Sequence, residues 1–429
     1  MYSLEDWVRH GNELRRPLLV NHALFESNRV VIVGGGLSGL SLAYRIGTER
    51  PDIHVTLIEK TTRLGGVIET WKKGAWICDV SVNAARPHPS FWRLVHDLEL
   101  DGAFKKSNEN ARSRWILIGQ RKHRISMFTA AKIGPSGILR GFLNSKVPGK
   151  SVFDVVQNGP ISDALTLGIL NDSAKEVDAN FLFPAFTGFG PKPPVGKRRL
   201  RNMISASYPI FTPDKGSLAS LDGGMHSIID ALEIRLNKME NIEMVFGTKE
   251  KNPDEVSRAY NVPISSVIWS TGLPTRTDGE TELSIFAAGY KSTDVDHVGI
   301  GYGTLIPDIE SPVSGILHES DIHRSRRAPH GHRLFRLMVP HQRWGGDVSE
   351  VVESASRLLN TVERPALLEK IGTRRIPRFP PGYMRSIAEK EYDFSIAGWT
   401  GSGVSITHVV DEAERISELF RQAGELARN

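Results

Sequence analysis

Six consecutive residues, Gly34-Gly35-Gly36-Leu37-Ser38-Gly39, have the make-up of a phosphate-binding loop, and Glu59 follows 20 positions beyond Gly39. Glycine at 34 permits a sharp turn, glycine at 36 lets the backbone approach a pyrophosphate, and glycine at 39 lets a helix lie close on a sheet. Amides at that helix's N-terminus would face the phosphates. The Glu59 carboxylate can accept hydrogen bonds from the hydroxyls of an adenosine ribose, which disfavours a 2′-phosphorylated dinucleotide.

These residues need particular elements to hold them. Val30-Val31-Ile32-Val33 has the character of a buried strand, and Leu40, Leu42, Ala43 and Ile46 recur at helical spacing. His54 to Ile58 reads as a second strand that delivers Glu59. The pattern is strand, turn, helix, strand, acid, the unit of a Rossmann-type domain.

Composition narrows the remaining classes. The chain has 429 residues, too many for one simple core, which suits two interleaved domains. Net charge is +5, with basic runs at Lys197-Arg198-Arg199-Leu200-Arg201 and His323-Arg324-Ser325-Arg326-Arg327. Such runs can meet anionic lipid or a polycarboxylate. No recognition motif or aromatic platform accompanies them, so nucleic acid is not an expected partner.

The single cysteine, Cys78, excludes an internal disulfide framework and a thiolate metal cluster. His318, His323, His330 and His332 match no zinc spacing, so no metal is expected. No apolar run approaches the roughly 18 residues of a membrane span. Residues 1–28 hold Glu5 and Asp6 and lack the apolar core of a secretory signal, and they read as a short helical extension.

Arg63-Leu64-Gly65-Gly66, directly after the ribose acid, resembles the FAD-binding signature of the amine-oxidase superfamily. Asp79-Val80-Ser81-Val82-Asn83-Ala84 resembles the superfamily segment beside the isoalloxazine, with Ser81 and Val82 where Gly-Pro is usual. Phe394 to Ile406, FSIAGWTGSGVSI, resembles its C-terminal FAD motif, followed by a helix read over Val409–Ala423. The cofactor set implied by motif and resemblance together is Gly34, Gly35, Gly36, Leu37, Ser38, Gly39, Glu59, Arg63, Gly65, Gly66, Val67, Asn83, Trp399, Val404, Ser405 and Ile406. The cofactor implied is FAD.

Further along, the resemblance narrows to the protoporphyrinogen oxidase family. Arg114 to Arg121 is similar to the hairpin that begins its substrate domain, and Leu167 to Asp172 to the segment whose glycine, here Gly168, lies against a pyrrole ring. Asp214 to Met225 is similar to the segment leading the chain back to the FAD domain, and 299–307 with 315–320 to strands walling the tetrapyrrole cavity. Lys249 and Glu250 stand where the family usually has a valine under the adenine. The resemblance spans Arg29 to Arg421.

The fold expected is therefore α/β, a Rossmann-like FAD-binding domain interleaved with an α+β substrate-binding domain. Residues 29–110, 218–275 and 388–429 would form the first, and 111–217 with 276–387 the second. The resemblance implies oxidation of protoporphyrinogen IX to protoporphyrin IX with molecular oxygen as acceptor. Gly168 and Arg86 are the substrate-binding candidates, and no residue is named as a catalytic base. Coproporphyrinogen III oxidation, an amine- or carotenoid-oxidising relative, and an inactive FAD-binding scaffold stand as alternatives.

Family members bind membranes peripherally. Ile133 to Leu143 combines apolar residues with Arg140 and permits such contact, at a bacterial cytoplasmic face or a mitochondrial inner membrane, with a soluble cytoplasmic protein as the alternative. A homodimer is allowed. Short helices and strands are also read at Phe91–Leu100, capped by Ser90, and at Val67–Trp71 with Ala75–Val80.

Overall fold

A computed structural model describes residues 15–428 apart from 87, 120, 126–133, 194, 197, 200–201, 203–217, 249–251 and 274–278. Residues 1–14, Ile133, the greater part of the basic run at 197–201, Asp214 to Ser217, and Lys249 with Glu250 thus lie outside the described residues.

The strands, in chain order, are β1 Arg29–Val33, β2 His54–Glu59, β3 Thr70–Lys73, β4 Trp76–Asp79, β5 Phe104–Lys106, β6 Arg114–Ile118, β7 Arg121–Arg124 and β8 Ala219–Leu221. There follow β9 Ile242–Phe246, β10 Val267–Trp269, β11 Glu280–Lys291, β12 Gly303–Leu305, β13 Gly315–Leu317, β14 His332–Pro340, β15 Leu367–Pro377 and β16 Ser395–Ile396. Seven helices position the site: α1 Leu37–Glu49, α2 Pro89–Asp97, α3 Gly134–Asn144, α4 Gly159–Leu170, α5 Ser227–Leu236, α6 Val348–Leu359 and α7 Ile406–Arg428.

The first sheet is parallel, in the order β16-β10-β1-β2-β9. Val30 to Val33 are buried on both faces, which is why β1 reads as an uninterrupted apolar run rather than an alternating one. Helices α1, α2, α5 and α7 contribute Leu40, Trp92, Ile229 and Val410 to its main core. The strands come from three separated stretches of chain, as an interleaved α/β architecture requires.

The second sheet has seven strands, β15-β11-β14-β13-β12-β6-β7, antiparallel except for the β12–β6 pair. Its two faces do different work. Phe286, Phe335, Leu337 and Val339 pack with Val351, Ala355 and Leu359 of α6, whereas Leu283, Ile285, Met338, Leu317 and Ile116 face a cavity. Period-two alternation along each strand separates the two sets.

Several expected boundaries move, each for a local reason. Helix α2 starts at Pro89, whose missing N–H suits the first turn, and His88 occupies the cap position. Ser90 is therefore inside the helix, with its buried hydroxyl donating to Asp411 at 2.6 Å. The hairpin β3–β4 turns at Gly74, φ +58°, and its strands are shorter than read from sequence. Helix α7 runs from Ile406 to Arg428, 23 residues, longer at both ends than the span read from sequence, and buries Asp411, Glu412, Glu414 and Glu418 alongside its apolar residues.

The described part of the N-terminal extension is not a regular helix. Residues 17–21 carry no helix, with Leu19 in an isolated bridge to Ile396, and the short 3₁₀ turn His22–Glu26 is capped by Asn21. Ile396 N donates to Leu19 O at 2.8 Å and Asn21 N to Ser395 Oγ at 3.0 Å. An edge strand leaves amides without partners, and this strap supplies them.

Candidate cofactor and substrate site

The loop between β1 and α1 is shaped by contacts that only glycine survives. A Cβ on Gly39 would lie 2.0 Å from Gly34 O, and one on Gly34, φ +111°, would lie 2.5 Å from Thr271 Cγ2. Gly36 is the N-cap of α1 and offers no side-chain cap, so the first amides of the helix are left for a ligand. The second glycine pair closes on the first: Gly65 N donates to Gly35 O at 2.7 Å, and a Cβ on Gly66 would meet Gly36 Cα at 3.2 Å.

Glu59 is buried at the tip of β2, and its carboxylate first holds its own surroundings. Oε2 accepts from Gly35 N at 2.8 Å, while Oε1 accepts from Thr61 N at 3.0 Å and Thr61 Oγ1 at 2.8 Å. A carboxylate has about four acceptor positions, which leaves capacity for a ribose hydroxyl. Arg63 folds back on its loop: it donates to Gly66 O at 2.9 Å and Leu64 O at 3.3 Å and pairs with Glu69 at 3.7 Å. It braces the 64–68 turn.

Two polar atoms fit a bound dinucleotide. The Ser38 hydroxyl, in the phosphate loop, and the Asn83 amide nitrogen are both buried and without a hydrogen-bond partner among the described residues. Such groups are costly unless something pairs with them, and a flavin dinucleotide offers phosphate oxygens to the first and ring carbonyls to the second.

The cavity has a volume of about 560 Å³. Its cofactor-side wall is made by Val80 to Ala84 and by Trp399, Val404, Ser405 and Ile406; the opposite walls are the second sheet and α4. Gly398, φ +90°, and Gly403, φ +86°, bracket the short turn of helix Trp399–Ser402 that presents Trp399. Beneath it Glu412 Oε2 accepts from Gly398 N at 2.5 Å, and burial pushes this carboxyl up to about 8. Ser81, standing where glycine was expected, donates to Val67 O and so ties the cradle to the second glycine turn.

Gly168 lines the cavity in the last turn of α4, which is closed by its C-cap Asn171, φ +54°. A Cβ there would stand 3.3 Å from both methyls of Leu305 on β12. Close approach of helix to strand is thus one reason for the glycine. Arg86 is more than a third exposed, yet the exposed part faces the cavity, and partial loss of bulk water together with Arg114 lowers its pKa. Arg114 lies 4.3 Å over the Tyr302 ring, and Tyr302 Oη donates to Asn83 Oδ1 at 3.4 Å.

Sequence reading missed three arginines of the cavity, Arg16, Arg336 and Arg374, and the buried charge network behind one of them. Arg336 Nε pairs with Glu319 at 3.1 Å, His323 Nε2 meets the other Glu319 oxygen at 3.0 Å, and Arg327 pairs with Asp79 at 3.4 Å. Arg336 also donates to the carbonyls of Asp79 and Ser81, so the network clamps the flavin-side cradle to the second sheet. Of the four histidines between 318 and 332, His318 and His323 are buried, each against an acid. No metal-binding cluster occurs among the described residues.

Comparison with known proteins agrees with this geometry. Residues 32–98 match the model of the NAD(P)-binding Rossmann-like domain. An L-amino-acid oxidase of Crotalus adamanteus is 34% identical over 103 residues, 23% of this chain and 18% of that protein. The chain therefore matches less than a fifth of the length of that curated relative.

Solved structures align far more fully at low identity. A candidate protoporphyrinogen oxidase of Exiguobacterium sp. 255-15 superposes with TM-score 0.64 at 15% identity, covering 92% of this chain and 98% of its own. Cyclohexylamine oxidase of Brevibacterium oxydans superposes with TM-score 0.61 at 12% identity, covering 96% and 100%. The chain thus carries a dinucleotide-binding Rossmann-like domain within a mixed α/β fold that it shares with these solved oxidase structures.

Proposed function

We propose that the chain binds FAD and oxidises a porphyrinogen, protoporphyrinogen IX to protoporphyrin IX. The observation that carries the reading is the cavity's chemistry: apolar walls, five arginines, and no aspartate or glutamate among its described lining residues. A flat apolar molecule bearing carboxylates suits such a space, whereas a cationic amine would enter it against the arginines that, unlike Arg336, are not neutralised by Glu319. Bound FAD supplies the hydride acceptor, and oxygen takes the electrons onward as hydrogen peroxide.

The protein's own part is placement. Leu305 and Gly168 hold one wall close, Arg86 and Arg114 meet carboxylates, and the Arg336 network keeps residues 79–83 against the sheet. Holding the reacting carbon against the acceptor is itself a large fraction of such a barrier.

The test is aerobic turnover of the FAD-loaded protein with protoporphyrinogen IX and coproporphyrinogen III in parallel, read by porphyrin fluorescence above the spontaneous rate. Turnover of the first is expected; turnover of the second alone would move the substrate, and no turnover of either by a yellow protein would leave a flavin-bound scaffold or another substrate. Arg86→Gln is expected to raise KM roughly tenfold with kcat nearly unchanged, as uniform binding is lost.

We also propose that α3 rests on an anionic lipid surface. Its Gly141 packs so closely that a Cβ would lie 2.2 Å from Val155 O, while Ile138, Leu139, Phe142 and Leu143 are all more than half exposed. The apolar face points outward, beside Arg140 and Lys146, the combination an interfacial helix uses. Cosedimentation with phosphatidylcholine–phosphatidylglycerol vesicles is expected, and Leu139→Glu with Phe142→Glu should abolish it. Unchanged sedimentation, or a concentration-dependent dimer lost in the double variant, would assign the face to something other than lipid.

A further inference from the structure

Arg374 differs from every other buried arginine of the cavity in what surrounds it. It lies on β15, where Arg374 and Ile376 face the cavity and Arg375 turns outward toward Glu280 and Glu282. It is 8% exposed. Among the described residues its guanidinium makes one hydrogen bond, Nη1 to Val67 O at 3.2 Å, although it carries five N–H donors.

Its neighbour Arg336 is neutralised by Glu319, while Arg374 has no acid in contact among the described residues. A carboxylate that acts on it, Glu69, is half exposed and paired with Arg63. Burial, and then the charge of Arg336, lower the Arg374 pKa to about 10. A buried cation in an apolar space needs a counter-charge, and the cavity's described lining supplies none.

We infer that Arg374 is a carboxylate-binding residue, forming a second anion site where the cofactor loop meets the cavity. It is separate from the Arg86–Arg114 site: β15 and β6 are the first and sixth strands of the sheet, so their backbones start roughly 24 Å apart at ~4.8 Å per strand. The ligand class is an apolar molecule with carboxylates on more than one side. For the identity of that molecule the inference rests on the porphyrinogen reading; for the site itself it does not.

The probe is benzoate, with neutral benzamide as its uncharged partner, titrated by calorimetry into the FAD-loaded protein. Arg374→Met is expected to weaken benzoate binding by about tenfold or more, Arg374→Lys by less, and neither should change benzamide binding. The pair Arg86→Met with Arg114→Met should leave an Arg374-dependent component of benzoate binding. If Arg374→Met fails to fold, Arg374→Gln, which keeps an N–H for Val67 O, carries the same comparison.

Equal benzoate affinity in the wild type and the neutral variants would overturn the site, as would a wild type that binds no benzoate. Benzoate binding through Arg374 in a protein that oxidises no porphyrinogen would keep the site and discard the porphyrinogen reading.

Discussion

Replacing Gly39 with alanine is expected to release the cofactor from a chain that still folds. The added Cβ would lie 2.0 Å from Gly34 O and 3.0 Å from Ser270 Oγ, so either the turn or the first turn of α1 must move by about an ångström. The amides meant for the phosphates and the loop that meets the pyrophosphate would then no longer converge. FAD affinity should fall at least about 100-fold, near 3 kcal/mol. Fluorescence titration of FAD into apoprotein measures this, with far-UV circular dichroism reporting the fold.

Gly102→Ala is the control, because a Cβ there meets nothing within 4 Å. Equal FAD affinity in the two variants would remove Gly39 from the cofactor site.

The second large effect is on stability and its pH dependence. Burial alone would raise the Glu319 carboxyl, but Arg336, the hydrogen bond with His323 and the charges of His323 and Arg327 outweigh it and hold it at about 2. A carboxyl depressed from an ordinary 4.5 contributes stability that is complete above the unfolded value. That contribution, on the order of 3 kcal/mol, is lost as pH falls from about 4.5 through about 2.

Glu319→Gln should therefore unfold at lower urea concentration at pH 7, by about 3–5 kcal/mol, because Arg336 is left buried without its acid. It should also lack the part of the acid-side slope that the wild type shows. Replacing both partners with apolar residues of similar size, Glu319→Leu with Arg336→Met, is expected to recover much of the loss. Superimposable stability–pH curves for wild type and Glu319→Gln would mean that the pair is not the clamp described.

Both effects touch the same junction from opposite directions. Gly39 acts through a few residues of adjacent chain, whereas Glu319 acts through Arg336 on the carbonyls of residues 79 and 81. Loss of Glu319 should therefore also disturb the Asn83 side of the cavity, since residues 79–83 form one cradle.

What the chain's own order of residues determined is the cofactor half. Gly34, Gly36, Gly39, Gly65 and Gly66 announce themselves because close backbone approach and positive φ are local demands that few other residues meet. The Val-Ile run of β1 and the helical spacing of α1 are equally local. Glu59 was legible as the acid at the end of β2, though not that it would first bind Gly35 and Thr61.

The cavity's charges were decided by tertiary structure. Nothing around Arg374 distinguishes it from Arg375, yet one faces the cavity and the other solvent, because strand pairing with β11 sets which side is inward. Arg336 finds Glu319 across the β13–β14 region, and Arg16 reaches the cavity through a strap fastened to Ser395 and Ile396, residues far along the chain. Gly168 shows the same division: its type was visible, but the Leu305 methyls it packs closely against belong to β12, far along the chain. Local sterics leave a signature in neighbouring residues, while the partner of a long side chain depends on which distant elements pack beside it.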